Sequence, residues 1–167
     1  MSKILFALAL PLALGLVGCS KNPGVPGDAQ KAADVLSGDA AGGAANNPIC
    51  KMFTVAEIAA YEGVPVEAGI NAAMGSGCQW MDTKGDGYVL LQVLPEDYFQ
   101  VRSRSAGFKD LPDVGKKGFV VPEMAGLGGW AGGVIKGGKG IMFTTGGTST
   151  EAMAVMFLKE SMKRTAE

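Results

Sequence analysis

Gly77-Cys78-Gln79-Trp80-Met81 and Tyr88-Val89-Leu90-Leu91-Gln92-Val93-Leu94 are the two stretches whose reading decides the fold. Both read as strands, and the link Asp82-Thr83-Lys84-Gly85-Asp86-Gly87 is rich in the Asp and Gly that favour tight turns. Together they predict a β-hairpin. The second stretch is almost continuously apolar, as expected of a strand covered on both faces. Trp80 reads as a core residue.

Upstream of the hairpin stands Thr54-Val55-Ala56-Glu57. Here a hydroxyl and a carboxylate three residues apart satisfy each other's backbone donors, forming a capping box. Phe53 and Ile58 flank it as a hydrophobic staple, and Gly63 supplies the left-handed stop. A helix over 54–62 is predicted. Downstream, a second helix is expected after Pro95, carrying Tyr98, Phe99 and Val101 and ending by Gly107. Strands are expected over 117–121, 130–135 and 140–145. Thr148-Ser149-Thr150-Glu151 opens a last helix over 150–163, with Met153, Ala154, Met156, Phe157 and Leu158 as a wide apolar stripe. The order α-β-β-α-β-β-β-α gives an α+β fold, an antiparallel sheet of about five strands covered by helices.

The beginning of the chain obeys a different logic. Met1-Ser2-Lys3 is short and positive, and residues 4–16 are apolar apart from Pro11 and Gly15. As a helix those residues span about 20 Å, short of the roughly 30 Å hydrocarbon core of a bilayer. That length suits a cleaved export signal. Leu16-Val17-Gly18-Cys19 follows, and this resembles the lipobox of bacterial lipoproteins. The resemblance implies cleavage between Gly18 and Cys19, a diacylglycerol on the Cys19 thiol and an acylated terminal amine. Two or three acyl chains anchor stably where one does not. Ser20 in place of Asp implies the outer membrane, facing the periplasm, in a cell with two membranes.

The chain thus divides into a signal (1–18), a tether (19–48) and one α+β domain (49–167). Between Ser20 and Pro48 large apolar and aromatic residues are nearly absent, so the tether is expected to be flexible and to reach roughly 30 Å. Of 15 Lys and Arg only Lys3 falls in the signal, leaving 14 against 16 Asp and Glu in the mature chain. With no basic block, nothing points to nucleic acid.

With Cys19 taken by lipid, Cys50 and Cys78 remain as a pair in an oxidising compartment. Their disulfide would close a loop of roughly 29 residues and stabilise by about 3–4 kcal/mol. The alternative, two free or metal-binding thiols, lacks an obvious third ligand. Cys50, the capped helix, Gly63 and Gly77-Cys78-Gln79-Trp80 are also similar to an arrangement in small actinobacterial envelope lipoproteins. Their domain has no assigned function and a PsbP-like fold. The likeness implies an exported α/β module and carries no catalytic residue.

Chemistry is scarce. The chain has no histidine, which removes Ser-His and Cys-His nucleophiles and the commonest zinc ligand. Ser161 and Lys163 are two apart on a helix and face different ways. The Asp82–Gly87 loop superficially suggests calcium, but Lys84 sits at a ligand position and Val93 where the bidentate Glu belongs. Gly137-Gly138-Lys139-Gly140 lacks the spacing and hydroxyl of a phosphate loop. Glu96-Asp97 diverge and complement a helix dipole. No metal and no cofactor is called for.

What remains is the glycine-rich stretch 126–140. Met124, Trp130, Lys136 and Lys139 form the candidate binding set, and Trp130 is either anchored in the core or a contact. The expected function is a non-enzymatic binding or structural role at the cell envelope. The partner would be another envelope protein, the cell wall or a small apolar ligand. A narrower version is an inhibitor or immunity protein against a secreted toxic enzyme.

Overall fold

A computed structural model describes residues 44–123 and 128–165. The signal, Cys19, the tether up to residue 43 and Met124 lie outside the described residues. Helix α1 (Val55–Glu62) is followed by β1 (Ile70–Ala72), β2 (Gly77–Met81), β3 (Tyr88–Pro95), β4 (Lys109–Asp110), β5 (Lys116–Pro122), β6 (Trp130–Lys136) and β7 (Lys139–Thr145). Helix α2 (Glu151–Arg164) ends the order. The strands form one antiparallel sheet in the order β1-β2-β3-β7-β6-β5-β4. No helix among the described residues is long and apolar enough to cross a membrane.

The fold class is as expected, with two differences. Seven strands form rather than about five, because β1 and β4 add three and two residues at the sheet edges. Segments that short carry no readable alternation. The helix expected after Pro95 is a single 3-10 turn, Glu96–Tyr98. Phe99 then adopts extended backbone, and its side chain lies against two glycines of the sheet. A Cβ on Gly133 would come within 2.8 Å of the Phe99 ring, and one on Gly140 within 2.8 Å of Phe99 Cβ and Cδ2. Docking the ring on this bare backbone draws the chain out of helix, a tertiary contact overriding local preference.

Side chains alternate between two cores. One face carries Cys78, Trp80, Val89, Leu91, Val120, Val134, Ile141 and Phe143 against Phe53 and Ile58 of the first-helix region and Ala154, Phe157 and Leu158 of α2. The other face, over β5 to β7, buries Phe119, Val121, Ala131 and Ile135 beneath Phe99, with Val101 and Phe108 alongside. This second layer explains the apolar density of β5 to β7; in β3, expected to be covered on both faces, only Val89 and Leu91 of one face are buried, and Leu90, Gln92 and Leu94 are half-buried. Trp80 is fully buried, as its sequence position implied.

The helix signals are realised. Thr54 and Glu57 form the reciprocal capping box, and Gly63 closes α1 at φ +80°. Thr150 caps α2 by accepting from the Met153 N–H. Asp82 Oδ1 accepts from the Lys84 and Asp86 N–H groups at 2.7 and 3.0 Å, organising the hairpin turn. Cys50 and Cys78 are joined, with Cα atoms 5.1 Å apart, linking the segment before α1 to β2. Asn47, placed in the tether by its sequence, is buried; its Nδ2 donates to Gly77 O at 2.8 Å and its Oδ1 accepts from the Ile49 N–H. The packed part therefore begins by Asn47, before residue 49.

Candidate functional site

At one end of the sheet five separate pieces of chain surround a cleft of about 360 Å³. Ile49 and Met52, from the segment ahead of α1, and Val93, near the end of β3, give it apolar walls. Gly75 and Ser76 close one side, and Lys139, Arg164 and Thr165 another. This volume falls at the lower end of the range of small-ligand sites.

Each wall has an identifiable support. The Cys50–Cys78 bridge and the Asn47 amide fix residues 47–50 to β2. The turn from Ala73 to Gly75 runs through three successive positive φ angles, 50°, 53° and 86°. For Ala73 and Met74 that conformation is costly, of the order of 1–2 kcal/mol per residue. It is held by the Ser76 hydroxyl donating to Ala73 O at 2.7 Å and by the Val93 N–H donating to Ser76 O at 2.9 Å. Backbone strain of this kind collects where a surrounding structure shapes a site.

The two cationic residues of the lining differ in setting. Arg164 is clamped: Nη2 lies 2.7 Å from Glu57 Oε1, Nε lies 3.0 Å from Glu160 Oε1, and the guanidinium stacks 4.4 Å over the Phe53 ring. Its hydrogen bond, and next those of Thr54, hold the Glu57 carboxyl down at about 2. Glu160 is lowered as well, by Arg164 and Lys163. Lys139 is the first residue of β7, directly after the Gly137–Gly138 turn, whose φ angles of 55° and 72° need glycine. It stands opposite Pro95 of β3 and Lys136 of β6.

The sequence-derived binding set is only partly brought together. Trp130 opens β6 at the far end from the cleft, roughly 20 Å along the strand from Lys136. It is half-buried against the helical core, and its backbone N–H donates to Thr145 Oγ1 at 3.0 Å. Lys136 Nζ donates to the Met162 and Thr165 carbonyls, capping the end of α2. Lys139 alone among the described members of the set lines the cleft. Gly132, Gly133 and Gly140 are close-packed backbone against Phe143 and Phe99. Ile49, Met52, Ser76, Val93 and Arg164 carried no sequence signal as a group, since four distant segments supply them.

A second polar feature lies at the other end of α1. Glu62 is fully buried and neither carboxyl oxygen has a hydrogen-bond partner of sound geometry. Burial, and then the charge of Asp82, push its pKa up to about 8. The Gly146 N–H opposes this weakly, its hydrogen being committed to Tyr88 O at 2.7 Å. Burial also raises Asp82, but N–H groups from Asp86, Lys84, Gly85 and Gly87 outweigh it and leave the carboxyl below its usual value. Gly87 separates the two acids: a Cβ there would sit 3.2 Å from Glu62 Oε1 and 3.1 Å from Asp82 Oδ2.

Neither feature assembles a nucleophile with a base. Ser161 is buried within α2, whereas Lys163 is exposed and pairs with Glu160. Among the described residues no three metal-ligating side chains gather. What the cleft offers is apolar surface edged by Lys139 and by an Arg164 already paired with Glu57 and Glu160. No protein family, curated protein or solved structure matches the chain.

Proposed function

We propose that this chain is a lipid-anchored protein of the cell envelope that acts by binding, and that it holds a small, largely apolar ligand in the cleft between Ile49 and Arg164. The lipobox resemblance at Leu16–Cys19 supports the anchor, and a disulfide in the folded part suits an oxidising compartment outside the cytoplasm. The observation that carries the binding role is the cleft itself: about 360 Å³, walled by Ile49, Met52 and Val93, and held open by a bridge, a buried amide and a strained turn. A pocket so supported is largely preformed, which lowers the ordering cost of binding. In a cell with two membranes the domain would face the periplasm from the outer membrane.

Native mass spectrometry of the protein purified from its own envelope tests this. A bound small molecule is expected on the wild type and not on Met52→Trp, whose indole would fill the cleft, with melting of the two proteins compared. A wild-type protein that carries no such molecule, and takes none up from an envelope extract, would overturn it.

A further inference from the structure

We infer that the domain rests on the lipid surface that holds its anchor, through the bare face of β1 to β3 and the Met74 turn at the end of that face. This rests on the lipid anchor of the proposed function and adds the surface by which the folded part meets the bilayer.

The sheet is covered unevenly. The helical core packs on the face that carries Cys78, Trp80, Val89 and Leu91. On the opposite face the layer around Phe99 covers β5 to β7, and no residue of β1, β2 or β3 belongs to it. Strand alternation, with Ile70 paired to Gln79 and Gln79 to Leu90, puts Ile70, Gln79, Met81, Leu90, Gln92 and Leu94 on this bare side. A solvated sheet face is ordinarily polar. Here β1, β2 and β3 hold no charged residue at all.

At the end of the face Ile70 is 53% exposed and Met74 79%. Val55 and Met156 are exposed singly on the helices, which is ordinary. Met74 differs, because a left-handed backbone at φ 53° holds it out, at a cost in strain.

What lies against this surface follows from where the chain enters the fold. The described residues begin at Ala44, and the Asn47 amide donates to Gly77 O at 2.8 Å and reaches Gly75 O at 3.5 Å. The tether therefore joins the domain at the turn that carries Met74. Its expected reach of roughly 30 Å from Cys19 is about the width of the domain. A tether of that length gives the bilayer an effective concentration of the order of millimolar at this surface, so a weak apolar contact is enough. An uncharged face meets zwitterionic and anionic bilayers alike. Gly75 and Ser76 of the same turn also wall the cleft, so docking sets the cleft beside the phase in which apolar ligands collect.

The test uses the mature chain from residue 19, coupled through the Cys19 thiol to a maleimide lipid in phosphatidylcholine nanodiscs that carry nitroxide headgroups. Cys50 and Cys78 are bridged, so only Cys19 reacts. The methyl resonances of Ile70, Met74 and Leu90 are expected to broaden well ahead of those of Val55 and Met156, and equally so with phosphatidylglycerol added. Ile70→Asp combined with Met74→Asp should lower the docked-to-free ratio about tenfold or more. Both sites are exposed and Asp accepts a left-handed backbone, so the variant should melt as the wild type does. Equal broadening at all five residues, or broadening led by Val55 and Met156, would overturn the proposal. So would pairing of the free chain through Leu90 with no broadening by the discs, which would give the face to a second copy. The tether here is chemical, and acylation of native Cys19 is read separately by mass spectrometry, so failure of the anchor and failure of the docking face are told apart.

Discussion

The Arg164 guanidinium lies 2.7 Å from the Glu57 carboxylate and joins the last turn of α2 to the first turn of α1 across 107 residues of chain. The same guanidinium donates to the Met52 carbonyl and covers the Phe53 ring. Arg164→Met should therefore lower stability by about 1–2 kcal/mol through the lost hydrogen bond and ring contact, read by denaturant melts. Acid sensitivity should change with it. Glu57 is held at about 2, below its usual value near 4.5, so its contribution is present above that usual value and is lost as pH falls towards 2. In Arg164→Met this part of the acid transition should flatten; an unchanged profile would show that the pair contributes nothing.

Glu62 predicts the opposite dependence. Its folded pKa of about 8 lies above the usual 4.5, so the native state holds a proton that the unfolded chain releases. Its contribution is complete below the unfolded value and is lost as pH rises to about 8. Over that window the folding equilibrium constant should fall, by up to about tenfold per pH unit. Glu62→Gln should remove this slope, as read by denaturant melts across pH 5–9. A slope that survives the substitution would place its origin elsewhere.

Gly133 and Gly140 form the shelf for Phe99. Gly133→Ala puts a methyl 2.8 Å from both Ile141 O and the Phe99 ring, and should destabilise by about 1–3 kcal/mol. Phe99→Ala in the same background should recover part of that loss. Additive losses in the double variant would mean the ring is not what the methyl displaces.

Replacing Cys50 and Cys78 by Ser opens a loop of 28 residues' separation and should cost about 3–4 kcal/mol. In the unreduced, denatured wild type, thiol reagents should find neither sulfur.

Cys19 should be recovered as an acylated N-terminal residue by mass spectrometry of the mature protein. An unmodified terminus at another position, from a soluble fraction, would remove the anchor from the proposed function.

Local chemistry made much of the fold legible. Thr54 and Glu57 announce α1, Asp82 to Gly87 announce the hairpin turn, and Thr150 announces α2, because each signal acts within four residues. Phe99 was misleading for the reverse reason: its conformation is decided by glycines 34 and 41 positions away, and nothing beside it in sequence reveals them. The cleft was less legible still. Lys139 stood out through its glycines, but Ile49, Val93 and Arg164 meet only through the sheet order, which sets β3 beside β7. Glu62 reads as an ordinary surface acid of an amphipathic helix until Gly87 and Gly147 bring backbone over it.

The bridge at Cys50 has a mechanical consequence. Tension arriving along the chain from its N-terminal side first meets the Asn47 amide bonded to Gly77 O, and three residues on it crosses the disulfide into β2. Helix α1, β1 and the Gly75–Ser76 wall lie inside the closed loop, off the path of the force. Pulled from that side, the domain would load Pro48 and Ile49 of the cleft but leave Met52, Gly75 and Ser76 out of the line of force, while the pull spread through β2 into the hydrogen bonds of the sheet.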